Sequence, residues 1–245
     1  MSALSAETIT QIGSIPITNT LIGTIFVDAL LIFGTFSITK KLSLIPSGLQ
    51  NGAESILETF YDLTTSIAGN RAVRIFPYFM SFFLFILIAN WSGLLPGVGS
   101  IGFYHLEEGK KTLIPFFRAA TSDINVTLGL ALVSAVATHM LSIRLTGIKD
   151  YLGRFFSLNP INLFIGVLEI ISEITKIISL SFRLFGNIFA GEVVILTVSG
   201  IFAFLFPLPF MFLEIIVGIV QALVFSMLTM VFMSILTTPH HSEQH

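Results

Sequence analysis

Ionisable side chains are costly inside an apolar helix, by roughly 2.5–3.5 kcal/mol each on insertion scales, and usually mark an ion pathway. Five of them interrupt the otherwise apolar stretch 160–198: Glu169, Glu173, Lys176, Arg183 and Glu192. The next apolar stretch, 207–237, carries one acid, Glu214, and one amide, Gln221. A carboxyl group can take up and release a proton, whereas a guanidinium does not deprotonate in proteins. Acids on either side of Arg183 therefore suit an ion pathway with a fixed cation between them. At about 100° per residue, Lys176 and Asn187 fall within about 40° of Arg183, with Glu169 on nearly the same stripe. Glu192 is turned by about 180° and lies roughly 13 Å further along the axis. The polar groups form two regions with a permanent cation between them. A purely structural reading of one such residue has even odds, but Arg183, Asn187, Glu192, Glu214 and Gln221 in register favour function.

These groups need a membrane around them. Of 245 residues 54% are hydrophobic and 11% charged, against roughly 25% charged in soluble domains. The 12 basic and 14 acidic residues give a net charge of −2, which offers no footprint for nucleic acid. With no cysteine, disulfides, thiolate catalysis and Cys-ligated metals are excluded. A helix of about 20 apolar residues spans the hydrocarbon core, and the pattern predicts an all-α integral membrane protein in a single membrane domain. Five crossings are expected, at 21–39, 75–104, 123–145, 160–198 and 207–237, with an amphipathic interfacial helix over 46–70 bearing Glu54, Glu58 and Asp62. The last two are long, tilted and antiparallel. With their turn between Gly200 and Pro209, Arg183 falls level with Gln221 and Glu192 level with Glu214.

Lys40, Lys41, Arg71 and Arg74, then Arg144, Lys149 and Arg154, mark the cytoplasmic connections, leaving the N-terminus outside and the C-terminus inside. Lys110, Lys111 and Arg118 fall outside, a modest violation diluted by Glu107, Glu108 and Asp123. The first residues lack a basic region, so no cleavable signal peptide is expected. No internal repeat appears, which disfavours transporters built from two related halves. His139 reads as a polar group in a packed span, Asp28 as interfacial, and the tail histidines His240, His241 and His245 as solvated rather than metal-binding. No Gly-rich loop ending in Gly-Lys-Ser/Thr is present, so ATP chemistry is not expected here.

The run Ser179-Leu180-Ser181-Phe182-Arg183-Leu184-Phe185-Gly186-Asn187-Ile188-Phe189-Ala190-Gly191-Glu192 closely resembles the signature of subunit a of rotary F-type ATP synthases. Gln221-Ala222-Leu223-Val224-Phe225, Ser122-Asp123-Ile124-Asn125-Val126-Thr127 and the segment from Glu169 to Lys176 extend the resemblance, which covers most of the chain from about residue 75 onward. It implies a non-catalytic stator subunit of the membrane sector, giving protons two offset half-channels to a ring of c subunits. Arg183 then matches the essential arginine facing that ring. Glu192, Asn187, Gln221 and Glu214 belong to proton translocation through the outer half-channel, with Asp123 and Asn125 at its entry. Glu169, Glu173 and Ser179 line the inner half-channel. Some relatives carry His where this chain has Glu214, so two carboxylates here are expected to share a proton. The resemblance further implies no cofactor or metal, protons rather than sodium, lipid, the c-ring and the b-subunit peripheral stalk as partners, and a bacterial plasma membrane, with an organellar energy-transducing membrane as the alternative. Two other readings stay open: an ion-coupled secondary transporter and a structural scaffold.

Overall fold

In a computed structural model of the chain, residues 8–13, 15–40, 42–43, 48–95, 102–107, 110–155, 160–201 and 206–238 are described. The tail histidines lie outside them. Seven α-helices dominate: α1 (Asn19–Thr39), α2 (Leu49–Ala68), α3 (Ala72–Ser92), α4 (Ile124–Thr146), α5 (Ile148–Phe155), α6 (Pro160–Ile201) and α7 (Pro207–Leu236). Two antiparallel hairpins join them, β1 (Thr8–Ile12) with β2 (Ile15–Thr18) and β3 (Gly102–Glu107) with β4 (Lys110–Pro115).

Among the described residues, four stretches are long and apolar enough to cross a bilayer: α1, the α2–α3 unit over Gln50–Ser92, α4 and α7. Their outward residues confirm the solvent they fold in. Phe33 is 73% exposed on α1 and Phe212 67% exposed on α7, and apolar surface on that scale requires lipid. The chain is a multi-pass, all-α membrane protein. The fifth long helix, α6, runs unbroken for 42 residues through Gly186 and Gly191, about 63 Å at 1.5 Å per residue. That is twice the thickness of a hydrocarbon core of about 30 Å, so it cannot stand upright within one.

The second span ends earlier than the sequence pattern predicts. Residues 75–104 are free of charge, yet α3 stops at Ser92, and Phe103 and Tyr104 belong to β3. At 21 residues α3 already measures about 31 Å, and Leu95-Pro96-Gly97 beyond it is a helix-ending run, since Pro lacks the N–H and disfavours helix in the residue before it. Absence of charge signals an apolar environment, not helix. At the other end of α3, Gly69 adopts φ +55°, a conformation glycine takes freely, and this breaks the chain between α2 and α3.

The core sits between α3 and α7. Ile75, Phe79, Phe82 and Ile86 pack on Ala222, Phe225, Met230 and Met233, joined by Ala131 and Leu141 of α4 and by Leu180 and Leu184 of α6. Helix association in lipid lacks a hydrophobic drive and relies on close packing of small residues and hydrogen bonds between helices. Both are present: Ser134 Oγ meets Thr229 Oγ1 at 2.8 Å, Thr127 Oγ1 meets Ser181 Oγ at 3.2 Å, and Asn90 Nδ2 donates to the Gly218 carbonyl at 3.1 Å. α2 lays Phe60, Thr64 and Ala68 against this bundle and leaves Glu54, Glu58 and Asp62 exposed.

Candidate functional site

Three polar places lie along α6. The first is a cavity of about 260 Å³ near its C-terminal third, bounded by α3, α6, α7 and the segment before α4. Glu192 and Glu214 both line it, together with Asn90 and Arg118. The hairpin register places them there. Glu214 reaches across to Gly191, where an added Cβ would stand 2.6 Å from Glu214 Oε1. Further down, Lys176 Nζ lies 4.2 Å from the Phe232 ring centre. Both contacts fit the antiparallel pairing of α6 and α7 read from the sequence.

Within the cavity the two acids are not equivalent. Arg118 Nη2 is 3.4 Å from Glu192 Oε2, and Arg118 Nε donates to Ser122 Oγ at 2.9 Å. Arg118 is itself only 6% exposed. Glu214 is buried, and its Oε2 has no hydrogen-bond partner among the described residues, nor has Asn90 Oδ1. A buried carboxylate without partners is strongly disfavoured, a neutral carboxyl much less so. Glu192 therefore has a cation beside it, whereas Glu214, with one oxygen unpartnered, is the group suited to carry a proton. Gly191 leaves room for it. Gly191→Val should push the Glu214 carboxyl aside and cut proton flux by on the order of tenfold to a hundredfold, read as passive proton conductance of reconstituted membranes.

The second place is Arg183 itself, on the opposite side of α6 from Glu192. Its side chain is exposed, and its one hydrogen bond among the described residues is from Nη2 to Ser179 Oγ at 3.3 Å. Ser172, Thr175, Lys176 and Ser179 continue its stripe in a groove of about 430 Å³ that Leu228 and Phe232 of α7 close. Asn187 is exposed one turn further on, and Gln221 is half-buried two turns beyond Glu214 on the same face of α7.

The third place is a cluster where α4, α5 and α6 meet. Glu173 Oε1 accepts from Lys176 Nζ at 2.6 Å, and its Oε2 lies 3.7 Å from His139 Nε2. His139 Nδ1 is 3.1 Å from Tyr151 Oη, and Arg154 Nη1 is 4.0 Å from Glu169 Oε1. Burial, with Glu173 and Glu169 nearby, pushes the Tyr151 phenol up despite Arg154, so it stays a hydroxyl.

Set against the sequence reading, Glu192 with Glu214 come together in one cavity, and Glu169 with Glu173 lie in one cluster. Asp123 and Asn125, expected at an outer entry, are not among the cavity's lining residues. Asp123 Oδ1 caps α4 by accepting from the Asn125 backbone N–H at 2.9 Å and side-chain amide at 3.1 Å, while Oδ2 accepts from Thr20 of α1 at 3.0 Å. Both of its oxygens are used in joining elements. His139 is more than a packing group, because both ring nitrogens face titratable partners. Arg118, read as a loop charge outside the membrane, is buried against Glu192. The local signal was the apolar flank Phe116-Phe117-Arg118-Ala119-Ala120. Asn90 gave no signal beyond being an amide in a span.

Comparison with known proteins bears on this geometry. Residues 18–234 match the family model described as ATP synthase A chain. The chain is 34% identical over 224 residues to the ATP synthase subunit a of Moorella thermoacetica, covering 91% of this chain and 93% of that one. It is 33% identical over 225 residues to the ATP synthase subunit a of Legionella pneumophila strain Corby, covering 91% and 88%.

Proposed function

The chain belongs to the ATP synthase A chain family, and from that premise we propose that its two acid regions are offset proton half-channels separated by Arg183. It is a non-catalytic subunit of the membrane sector of an F-type ATP synthase and serves there as a stator in proton translocation. Its moving neighbour is a ring of c subunits, and the b-subunit peripheral stalk holds it in place. Protons enter through the cavity of Glu192 and Glu214, with Asn187 and Gln221 on the way to the ring. They leave by the side of Glu169, Glu173 and Ser179. The membrane is a bacterial plasma membrane, with the N-terminus outside and the C-terminus in the cytoplasm, as the Lys and Arg of the connections favour.

One observation carries this reading: Arg183 is an exposed cation midway along an apolar helix, with a single serine as hydrogen-bond partner among the described residues. An unpaired guanidinium facing lipid is costly, so the site calls for a carboxylate from another subunit. A ring carboxyl crosses lipid only when protonated, because the ionised form carries a large desolvation cost. Opposite Arg183 the ionised form is favoured, so the proton is stripped before the carboxyl passes. The cation cannot relay it onward. About 2.3 kcal/mol is available per charge per 100 mV, so several protons are pooled by rotation for each ATP.

Because the chain has no cysteine, a single introduced thiol reports proximity cleanly. Cys in place of Ser179 or Asn187 should form a disulfide with a Cys on the c subunit's outer helix, whereas Cys in place of Phe33 on α1 should not. Equal cross-linking at all three, or none at Ser179 and Asn187, would overturn the assignment.

A further inference from the structure

His139 is a titratable group that the family signature does not contain, and the structure sets it in a chain of contacts from α5 to the Arg183 groove. Tyr151 Oη meets Nδ1 at 3.1 Å, Nε2 faces Glu173 Oε2 at 3.7 Å, Glu173 Oε1 takes a 2.6 Å hydrogen bond from Lys176, and Lys176 lines the same groove as Arg183 and Ser179. We propose that His139 is a proton-accepting residue on the inner path, taking the proton from Glu173 and releasing it to the cytoplasmic side, with Tyr151 as the residue that fixes its tautomer. The proposal rests on the stator reading above.

The chemistry follows from the two ring nitrogens. Which nitrogen carries hydrogen is set by the bond the other makes. With Nδ1–H donating to Tyr151 Oη, Nε2 is bare and points at Glu173. When Glu173 receives a proton, the 3.7 Å gap to Nε2 must close to hydrogen-bond distance or be bridged by one water, and the Glu173 O–H bond then breaks as an Nε2–H bond forms. Neutral acid and neutral ring become carboxylate and imidazolium. Lys176 and the imidazolium both hold the new carboxylate. The Nε2 proton then leaves to water, which the His139 side chain reaches, being 26% exposed against 14% for Glu173. The ring returns to its starting tautomer, one proton having entered and one left.

The charged surroundings are otherwise balanced. His139 touches Tyr151 of α5 and Glu173 of α6, and the same cluster holds Arg154 of α5, paired with Glu169, and Lys176 of α6, bonded to Glu173. α7, also packed on α4, brings no ionisable group to this end, since its one acid is Glu214. Arg154 is engaged with Glu169 and Lys176 with Glu173, and an imidazole can both take up and release a proton through its two nitrogens. Histidine is the side chain suited to that at near-neutral pH.

The test uses the assembled ATP synthase in proteoliposomes, with synthesis driven by a fixed outer pH and potential while the ATP-side pH is varied across the near-neutral range. His139→Gln keeps hydrogen bonding but cannot titrate. It should lower the rate by about tenfold or more and remove a step in the ATP-side pH profile, leaving the outer-side profile unchanged. A wild-type rate and profile in His139→Gln would overturn the relay. If that variant does not assemble, Tyr151→Phe decides, since it keeps the ring contact and deletes only Oη: a lower rate with a shifted ATP-side profile supports the proposal, and no change overturns it. An Arg183→Ala control separates the two readings. Normal pumping there sinks the stator assignment, whereas loss there with an unaffected His139→Gln sinks only the relay.

Discussion

Arg183→Ala should abolish ATP-driven proton pumping in membrane vesicles while the ATP synthase still assembles. Arg183 is exposed, and its one hydrogen-bond partner among the described residues is Ser179. Removing it orphans no buried group, and exposed substitutions of that kind usually change stability by only about 0.5 kcal/mol. The functional loss should be large. Without the cation, a ring carboxyl can pass the site still protonated, and protons can cross between the acid regions without turning the ring. The ATP-driven gradient, followed by quenching of a pH-sensitive dye, should fall at least about a hundredfold, as when a preorganised charge is removed from a reacting centre. Passive leak should rise in the same vesicles. Arg183→Lys should not restore coupling, because a desolvated ammonium loses its proton readily. A scaffold would tolerate both changes, so normal coupled pumping in Arg183→Ala would sink the motor reading.

Arg118→Leu should act differently, through folding and conduction together. Arg118 is 6% exposed and holds Glu192 across the outer cavity at 3.4 Å. Glu192 keeps 30% of its side chain exposed, so losing its partner costs less than in a fully buried pair, on the order of 1–3 kcal/mol. The yield of intact complex should drop. Glu192→Gln in the same chain removes the stranded charge and should recover most of that yield. Proton flux should stay low in the double variant, because the cavity would then keep Glu214 as its one ionisable group and lack the charged neighbour that distinguishes the two acids. Yield by native gel and flux by passive conductance give the two readings. Recovery of both in the double variant would reduce Arg118 and Glu192 to a structural pair, and wild-type behaviour of Arg118→Leu would remove the pair from the outer path.

Arg118 and Arg183 also show where reading a sequence stops. Arg183 was legible because its meaning is local: a charge in an apolar run, with Asn187 one turn on and Glu192 on the other face, follows from helical periodicity alone. The α6–α7 register was legible too, since a short turn between two long helices fixes which residues lie level, and Gly191 against Glu214 and Lys176 over Phe232 agree with it. Arg118 was not. A cation between a hairpin and a span reads the same whether it faces water or folds under, and its pairing with Glu192 spans 74 positions of chain.

The membrane as solvent, the apolar helices, the acid–arginine–acid order along α6 and the family were legible in the residues, because hydrophobic runs, helical period and signature residues are properties of neighbours in the chain. Tertiary structure alone decided which acid Arg118 holds, that Asp123 ties to α1 instead of lining the cavity, and that His139 stands between Tyr151 and Glu173. Those outcomes depend on how helices distant in sequence pack side by side, and a buried polar atom takes whatever partner that packing brings within about 3 Å.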